Sequence, residues 1–145
     1  MTVARFLVDV SAWVRYPAAK AGARLDELGA AGLLATCGVT ELQLLGGLED
    51  AGTYATVAEL RRQAYPVLGM TDADVQRALE VQGLLVAGGQ LGVPWYALLV
   101  AAIAERHGVA VLHGCRWFDA VARTTRQAVE WVTPGIDSSE LATRQ

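Results

Sequence analysis

The chain has 145 residues, which fits a single domain with an ordinary hydrophobic core. Its net charge of -3 and isoelectric point near 5.3 exclude a general attraction for the phosphate backbone of nucleic acids, although a local arginine cluster could supply one. Cys37 and Cys115 are too few and too far apart for a disulfide framework or a zinc knuckle. Because the sequence shows neither a membrane-spanning run nor a signal peptide, we expect a cytoplasmic protein.

Apolar runs alternate with stretches that have helical periodicity and cap residues. Strands are predicted at 6–9, 34–39, 66–70, 109–113 and 129–132. Helices are predicted to begin at Ser11, at Thr40, at Thr53 or Thr56, at Thr71 with Asp74 in a capping box, at 95 and at 116. The order predicts an α/β fold in which a mostly parallel sheet of four to five strands has helices on both faces. We expect one domain at 1–135 and a polar, disordered tail at 136–145.

Acidic and polar residues follow three of the predicted strands. Asp9 ends the first strand, Glu41 lies just after the second, and the turn from His113 to Asp119 follows the fourth. In a parallel sheet, ligands bind beyond the carboxyl ends of the strands, so these segments should converge on one crevice. Acids gathered there could hold Mg²⁺ or Mn²⁺ and activate water next to a phosphate.

Six segments in consistent order resemble the PIN-domain family of the VapC toxin type. They are Phe6-Leu-Val-Asp-Val-Ser-Ala-Trp13, Val39-Thr-Glu-Leu42, Val93-Pro-Trp-Tyr-Ala-Leu-Leu-Val-Ala-Ala102, Val109-Ala-Val-Leu-His113, Phe118-Asp-Ala-Val-Ala122 and Glu130-Trp-Val-Thr-Pro134. The resemblance implies a PIN-like three-layer fold. It also implies a small magnesium-dependent endoribonuclease that is paired with an antitoxin.

The family's set of metal-binding acids is only partly present. The resemblance places the first acid at Asp9 and the second at Glu41, which makes these two the residual candidates for a metal. The third and fourth acids would fall at Ala97 and Cys115, and a further one at Trp117. We therefore expect no high-affinity metal site and no cofactor, with magnesium or manganese bound only if nuclease activity survives.

The main hypothesis from this mismatch is a dismantled nuclease site that now binds or transforms a small organic molecule. In it, Asp9 or Glu41 acts as acid or base, and His113 and Cys115 are further catalytic candidates. The predicted pocket lining consists of polar, small and aromatic residues, namely Ser11, Trp13, Trp95, Tyr96, Ala97, Trp117 and Asp119. The simpler interpretation is that the rings pack the core or an interface, that Asp9 and Glu41 are hydrogen-bonded acids retained from an ancestor, and that Cys115 is an inert thiol.

Two alternative functions stay open. One is a catalytically silent PIN module that acts by protein association, for example by binding an antitoxin. The other is an active but atypical VapC-type endoribonuclease toxin. The expected partners are a second copy in a homodimer, which the 53% hydrophobic content favours, a small-molecule ligand and an antitoxin-like protein, with RNA less favoured and no membrane.

Overall fold

The computed structural model describes residues 3–133, so the tail predicted at 136–145 lies outside the described residues. Strands and helices alternate along this part of the chain. In chain order they are β1 Phe6–Val8, α1 Val10–Trp13, α2 Ala19–Ala30, β2 Leu34–Cys37, α3 Gly38–Gly46, α4 Ala51–Ala64, β3 Val67–Leu68, α5 Asp72–Ala87, α6 Trp95–His107, β4 Ala110–His113, α7 Arg116–Thr125 and β5 Val129–Trp131. None of the described helices is both long enough and apolar enough to cross a membrane.

The five strands form one sheet in the order β3-β2-β1-β4-β5. Every neighbouring pair is parallel, with Phe6 opposite Leu34 in β2 and Leu7 opposite Val111 in β4. The predicted parallel sheet is thus confirmed. The strand order reverses at β1, because β2 and β3 lie on one side of it and β4 and β5 lie on the other. Such a switch point opens a crevice at the carboxyl ends of the two central strands.

Side chains that alternate along the central strands pack against helices on both faces of the sheet. Leu7 and Val111 belong to a core layer with α5, α6 and α7. Phe6 and Leu112 point the other way and pack with Leu25 of α2. Both faces are apolar because each strand is buried on two sides, which explains the continuous apolar runs in the sequence. The predicted three-layer arrangement is confirmed.

Two helices begin earlier than the sequence predicts. The predicted caps are Ser11 and Thr53 or Thr56, whereas the structure places Asp9 and Asp50 at these positions. Each aspartate accepts a hydrogen bond from a backbone N–H of the first turn, Asp9 from Ser11 at 2.9 Å and Asp50 from Thr53 at 2.7 Å. A carboxylate satisfies a free N–H and interacts well with the helix dipole, so these acids displace the hydroxyl residues as caps.

The helix after β2 also begins early, whereas the α5 cap lies where it is predicted. Helix α3 begins at Gly38, directly after β2, and Thr40 lies buried inside it rather than capping it. At α5 the carboxylate of Asp74 accepts a hydrogen bond from the backbone N–H of Thr71 at 2.9 Å, as expected for a capping box. The direct passage from β2 into α3 brings the start of α3 to the same sheet edge as the end of β1.

Candidate active site

A cleft of about 490 Å³ opens at the carboxyl edge of the sheet, over β1 and β4. Its walls come from α1, the middle of α3, the start of α6 and the turn that leads from β4 into α7. The lining residues are Asp9, Val10, Ser11, Val14, Arg15, Gln43, Tyr96, Ala97, Gly114, Cys115, Arg116, Trp117, Phe118 and Trp131. The cleft lies where the reversal of strand order predicts a ligand site.

Asp9 is the buried carboxylate of this cleft, with 4% of its surface exposed. Its Oδ2 accepts the hydrogen bond from the Ser11 N–H that caps α1. Its Oδ1 has no hydrogen-bond partner among the described residues. Burial raises the pKa of the Asp9 carboxyl, and the bond from Ser11 opposes this only in part. Asp9 therefore offers the cleft one oxygen whose hydrogen-bonding capacity is unused.

A small network fixes the turn after β4 against α1. The Ser11 hydroxyl accepts a hydrogen bond from the Gly114 N–H at 2.9 Å. The Arg15 guanidinium donates to the Gly114 carbonyl, with Nη2 at 2.9 Å. A Cβ on Gly114 would lie 2.6 Å from the Ser11 carbonyl oxygen, so no side chain fits there. The network sets the distance between Asp9 and the residues that follow Gly114.

The residue of α3 that lines the cleft with Asp9 is Gln43, not Glu41. The Gln43 Oε1 is buried and, like the Asp9 Oδ1, has no hydrogen-bond partner among the described residues. Residues two apart on a helix point about 200° apart, so Glu41 and Gln43 cannot face the same cleft. Gln43 is not predicted as a cleft residue from the sequence, because an uncharged amide two residues after an acid gives no signal of its own.

Glu41 is instead held by an ion pair with α4. Its carboxylate accepts two parallel hydrogen bonds from Arg61, at 2.8 Å and 2.9 Å, and a third from the Thr36 hydroxyl at 2.7 Å. The same guanidinium lies over the rings of Trp13, at 4.8 Å, and Tyr65, at 5.1 Å. Glu41 thus connects β2, α3 and α4, and its carboxylate is engaged by Arg61 and Thr36 rather than lining the cleft.

His113 is fully buried beneath the cleft and does not line it. Its Nδ1 accepts a hydrogen bond from the Cys115 N–H at 3.2 Å, which places the ring proton on Nε2. Nε2 lies 3.7 Å from the Asp119 carboxylate, too far for a hydrogen bond, and Trp131 donates to that carboxylate instead. Burial lowers the pKa of His113 to about 4, so the ring is neutral at pH 7. His113 therefore does not pair with the Cys115 thiol.

Cys115, Trp117, Tyr96 and Ala97 line the cleft, as predicted. Cys115 is half-buried at the N-cap of α7, and burial raises the pKa of its thiol, which is protonated at neutral pH. The Arg116 guanidinium lies over the Trp117 ring at 5.0 Å. This side of the cleft combines a thiol and a cation with apolar walls.

Three predicted lining residues lie elsewhere. Trp95 is 63% exposed and outside the cleft, although it begins the same helix as Tyr96. Trp13 lines a separate groove of about 480 Å³ between α2 and the end of α4. Asp119 accepts a hydrogen bond from the Trp131 indole N–H and is not among the residues that line the cleft. The direction of the side chain around its helix decides each case, and sequence spacing alone does not predict that direction.

A metal ion bound only by carboxylates does not fit the residues present. Within residues 3–133 no group of three or more His, Cys, Asp or Glu side chains is placed to hold a metal ion. Asp9 supplies one carboxylate to the cleft, whereas Glu41 is committed to Arg61. Magnesium prefers several oxygen ligands, with carboxylates among them. The side-chain groups with lone pairs that line the cleft include one carboxylate, an amide, a hydroxyl and a thiol, from Asp9, Gln43, Ser11 and Cys115.

The sheet order and the cleft define a PIN-like α/β protein, and solved structures share this fold. A chain in the DNA-bound VapBC structure from Salmonella typhimurium superposes with a TM-score of 0.71 at 17% identity, over 90% of this chain and all of that one. A chain of VapBC-1 from nontypeable Haemophilus influenzae also reaches 0.71 at 15% identity, over 88% of this chain and 97% of that one.

Sequence comparison gives the family. Ribonuclease VapC21 of Mycobacterium tuberculosis is 37% identical over 133 residues, which cover 90% of this chain and 96% of that protein. Ribonuclease VapC2 of the same organism is 38% identical over 137 residues, which cover 92% and 96%. No protein-family model matches the sequence. On the strength of these full-length relatives, the chain belongs to the VapC ribonuclease family.

The hypothesis of a dismantled nuclease with a small-molecule pocket is therefore wrong. It rested on Ala97, Cys115 and Trp117 at positions where the family resemblance places acids. Relatives that match nearly the whole chain are named ribonucleases, which supports the alternative of an atypical VapC enzyme.

Proposed function

We propose that this protein is an atypical VapC-type endoribonuclease toxin that acts on RNA in the cytoplasm. The observation that carries the proposal is the 37% identity to a ribonuclease over 90% of the chain. The cleft at the switch point of the sheet supports it, because the buried Asp9 carboxylate lies there with one unused oxygen.

The cleft residues have separate tasks in this proposal. Arg116 is exposed and lines the cleft, where its positive charge can contact a backbone phosphate. Trp117 and Tyr96 offer ring faces on which bases of single-stranded RNA can stack. Asp9 lies at the base of the cleft. There it can accept a proton or hold a divalent cation close to the scissile phosphate.

Cleavage of RNA by the purified chain tests the proposal. Asp9→Asn is the matched variant, because asparagine can still accept the capping bond from Ser11 while the charge is lost. We expect the wild type to cut single-stranded RNA in the presence of a divalent cation, and Asp9→Asn to lose at least about a hundredfold in rate, as is typical for a group that acts in acid-base catalysis. Equal cleavage by both preparations, or none by either, would refute the proposal.

We also propose that the chain pairs with an antitoxin, as the VapBC names of the solved structures suggest, and that it forms a homodimer. The apolar side chains exposed on α5, Leu79 and Val86 among them, offer a face for association. Co-expression with a candidate VapB-type antitoxin tests the first part, since a true partner should co-purify and relieve growth arrest. Sedimentation of the isolated chain tests the second.

A further inference from the structure

Gln43 is the one residue with a side-chain amide that lines the cleft, among residues 3–133. It lies in the middle of α3, a helix that packs against both α1 and α6. Asp9 caps α1, and the first turn of α6 carries Tyr96. The amide therefore shares the cleft with a carboxylate and with an aromatic ring from a neighbouring helix.

The Gln43 Oε1 is buried and has no hydrogen-bond partner among the described residues. A buried acceptor without a partner is uncommon in folded proteins, because an unmade hydrogen bond costs free energy. A ligand that fills the cleft must donate to this oxygen, or else the oxygen stays unpaired in the complex. Binding sites with such a polar group reject a ligand that lacks the matching group more strongly than apolar pockets do.

The chemistry of RNA limits which of its groups can satisfy the Gln43 Oε1. Backbone phosphates offer acceptor oxygens only, so they cannot donate to it. The donors in RNA are the 2′-hydroxyl and the N–H groups of the bases. The Tyr96 ring at the start of α6 favours a base, because bases of single-stranded RNA stack on aromatic side chains.

Adenine is the base that best matches a glutamine amide. The amide presents an acceptor and a donor side by side, which fit the N6 amino group and N7 of adenine. In single-stranded RNA the other edge of adenine is also exposed, where N1 lies next to the same amino group. Cytosine offers one such pair. Guanine and uracil carry a carbonyl oxygen in place of the amino group, and this oxygen would repel the Gln43 Oε1.

We propose that Gln43 determines the base preference of the cleft and selects adenine in single-stranded RNA. Its Oε1 accepts a hydrogen bond from the N6 amino group, its Nε2 donates to a ring nitrogen, and the base stacks on Tyr96. The inference rests on the proposed function for the choice of RNA as the ligand. The binding that it predicts needs no cleavage.

Binding of short RNAs to the wild-type chain tests this inference. A chelator removes divalent cations, so that binding is measured without cleavage. Fluorescence anisotropy compares uridine hexamers that carry one central adenosine or one central purine riboside, which lacks the N6 amino group. We expect adenosine to bind about tenfold more tightly, which corresponds to about 1.4 kcal/mol. A central 2′-deoxyadenosine should bind as tightly as adenosine.

Variants at Gln43 separate the reading of the base from general affinity for RNA. Gln43→Met keeps the length of the side chain and removes the amide, so the adenosine and purine riboside hexamers should bind equally. Gln43→Glu accepts but cannot donate, so it should bind a central cytidine at least as well as adenosine. Gln76→Met is the matched control and should keep the preference, because Gln76 lies exposed on α5 outside the cleft.

Folding of Gln43→Met is checked by urea denaturation. The substitution removes a buried acceptor that has no partner, so the unfolding free energy should not fall. A loss of the adenosine preference in this variant then reports the missing amide and not a damaged fold.

The outcomes distinguish the inference from the proposed function. Equal binding of adenosine and purine riboside by the wild type, or a preference that survives Gln43→Met, would overturn the inference. Dependence on the 2′-hydroxyl instead of the N6 amino group would overturn it as well. A chain that cuts RNA without such a preference loses the inference alone. A chain that selects adenosine through Gln43 but cuts no RNA keeps the inference and refutes the ribonuclease proposal.

Discussion

At the scale of single residues, Gly114 is the position where the cleft tolerates least change. Its N–H donates to the Ser11 hydroxyl in α1, and its carbonyl accepts from the Arg15 guanidinium in the turn just after α1. The backbone atoms of the two segments approach so closely that only a hydrogen atom fits in place of a side chain. The short contact keeps Asp9 and Cys115 in one cleft.

Gly114→Ala should therefore destabilise the protein and disturb the site. The added methyl must displace the Arg15 side chain and the Ser11 backbone, and forcing an extra carbon into a packed region typically costs roughly 1 to 3 kcal/mol. We expect this loss of unfolding free energy in urea denaturation. RNA cleavage should fall further than the loss of folded protein explains.

Gly83→Ala provides the matched control, because it is the same substitution within α5, where a Cβ would meet nothing within 4 Å. Alanine is the better helix former, so the unfolding free energy should rise by about 0.5 to 1 kcal/mol. If Gly114→Ala were as stable as the wild type, the turn after β4 would have to be looser than its contacts indicate.

At the scale of elements, the sequence predicts the fold better than the site. The reason is that the orientation of each helix about its own axis decides which side chains face the cleft. Apolar runs such as 6–8 and 109–112 predict the strands, because strands buried on both faces favour apolar side chains at successive positions. The choice between Glu41 and Gln43 depends on which face of α3 turns towards Asp9. Arg61, which lies 20 residues further along the chain, pairs with Glu41 and holds it away from the cleft. No local sequence pattern reveals this ion pair.

The start of α5 illustrates an element whose stability should depend on pH. Asp74 caps the helix and also pairs with Arg106 of α6, with Oδ1 at 2.8 Å from Nε. The hydrogen bonds from Arg106 lower the pKa of the Asp74 carboxyl below its ordinary value of about 3.9, although burial opposes them. The unfolded chain therefore binds this proton more readily than the folded one. The resulting stabilisation is present at neutral pH and is lost as the pH falls through about 4 and below.

Asp74→Asn should reveal this dependence. At pH 7 the variant should lose roughly 1 to 3 kcal/mol of unfolding free energy, because a hydrogen bond to a charged group is replaced by a neutral one. The difference from the wild type should shrink as the pH falls below about 4, because the unfolded chain then takes up a proton that the folded carboxyl binds less readily. Urea denaturation across this range measures it, and a difference that is constant with pH would argue against the ion pair as its source.

At the scale of the whole molecule, the fold was predictable because each level of the sequence agrees with it. Alternating elements, strands buried on both faces and the order of the six family segments all indicate the same parallel sheet. Function was less predictable, since it depends on a few side chains whose directions the fold alone determines. The absence of acids at three positions led to the hypothesis of a lost nuclease activity. The similarity of nearly the whole chain to proteins named ribonucleases contradicts that hypothesis.

The overall charge makes one further prediction about RNA binding. A chain with net charge -3 repels RNA at long range, so attraction must come from local cations such as Arg116 at the cleft. Arg116→Ala should raise the KM for RNA several-fold and reduce the slope of log affinity against log salt concentration by about 1.

Arg123→Ala is the matched control, because Arg123 lies exposed on the same helix but outside the cleft. Equal effects of the two substitutions, measured as RNA affinity between low and moderate salt, would show that RNA is attracted by α7 in general. A loss confined to Arg116→Ala would instead place the RNA backbone over the Trp117 side of the cleft.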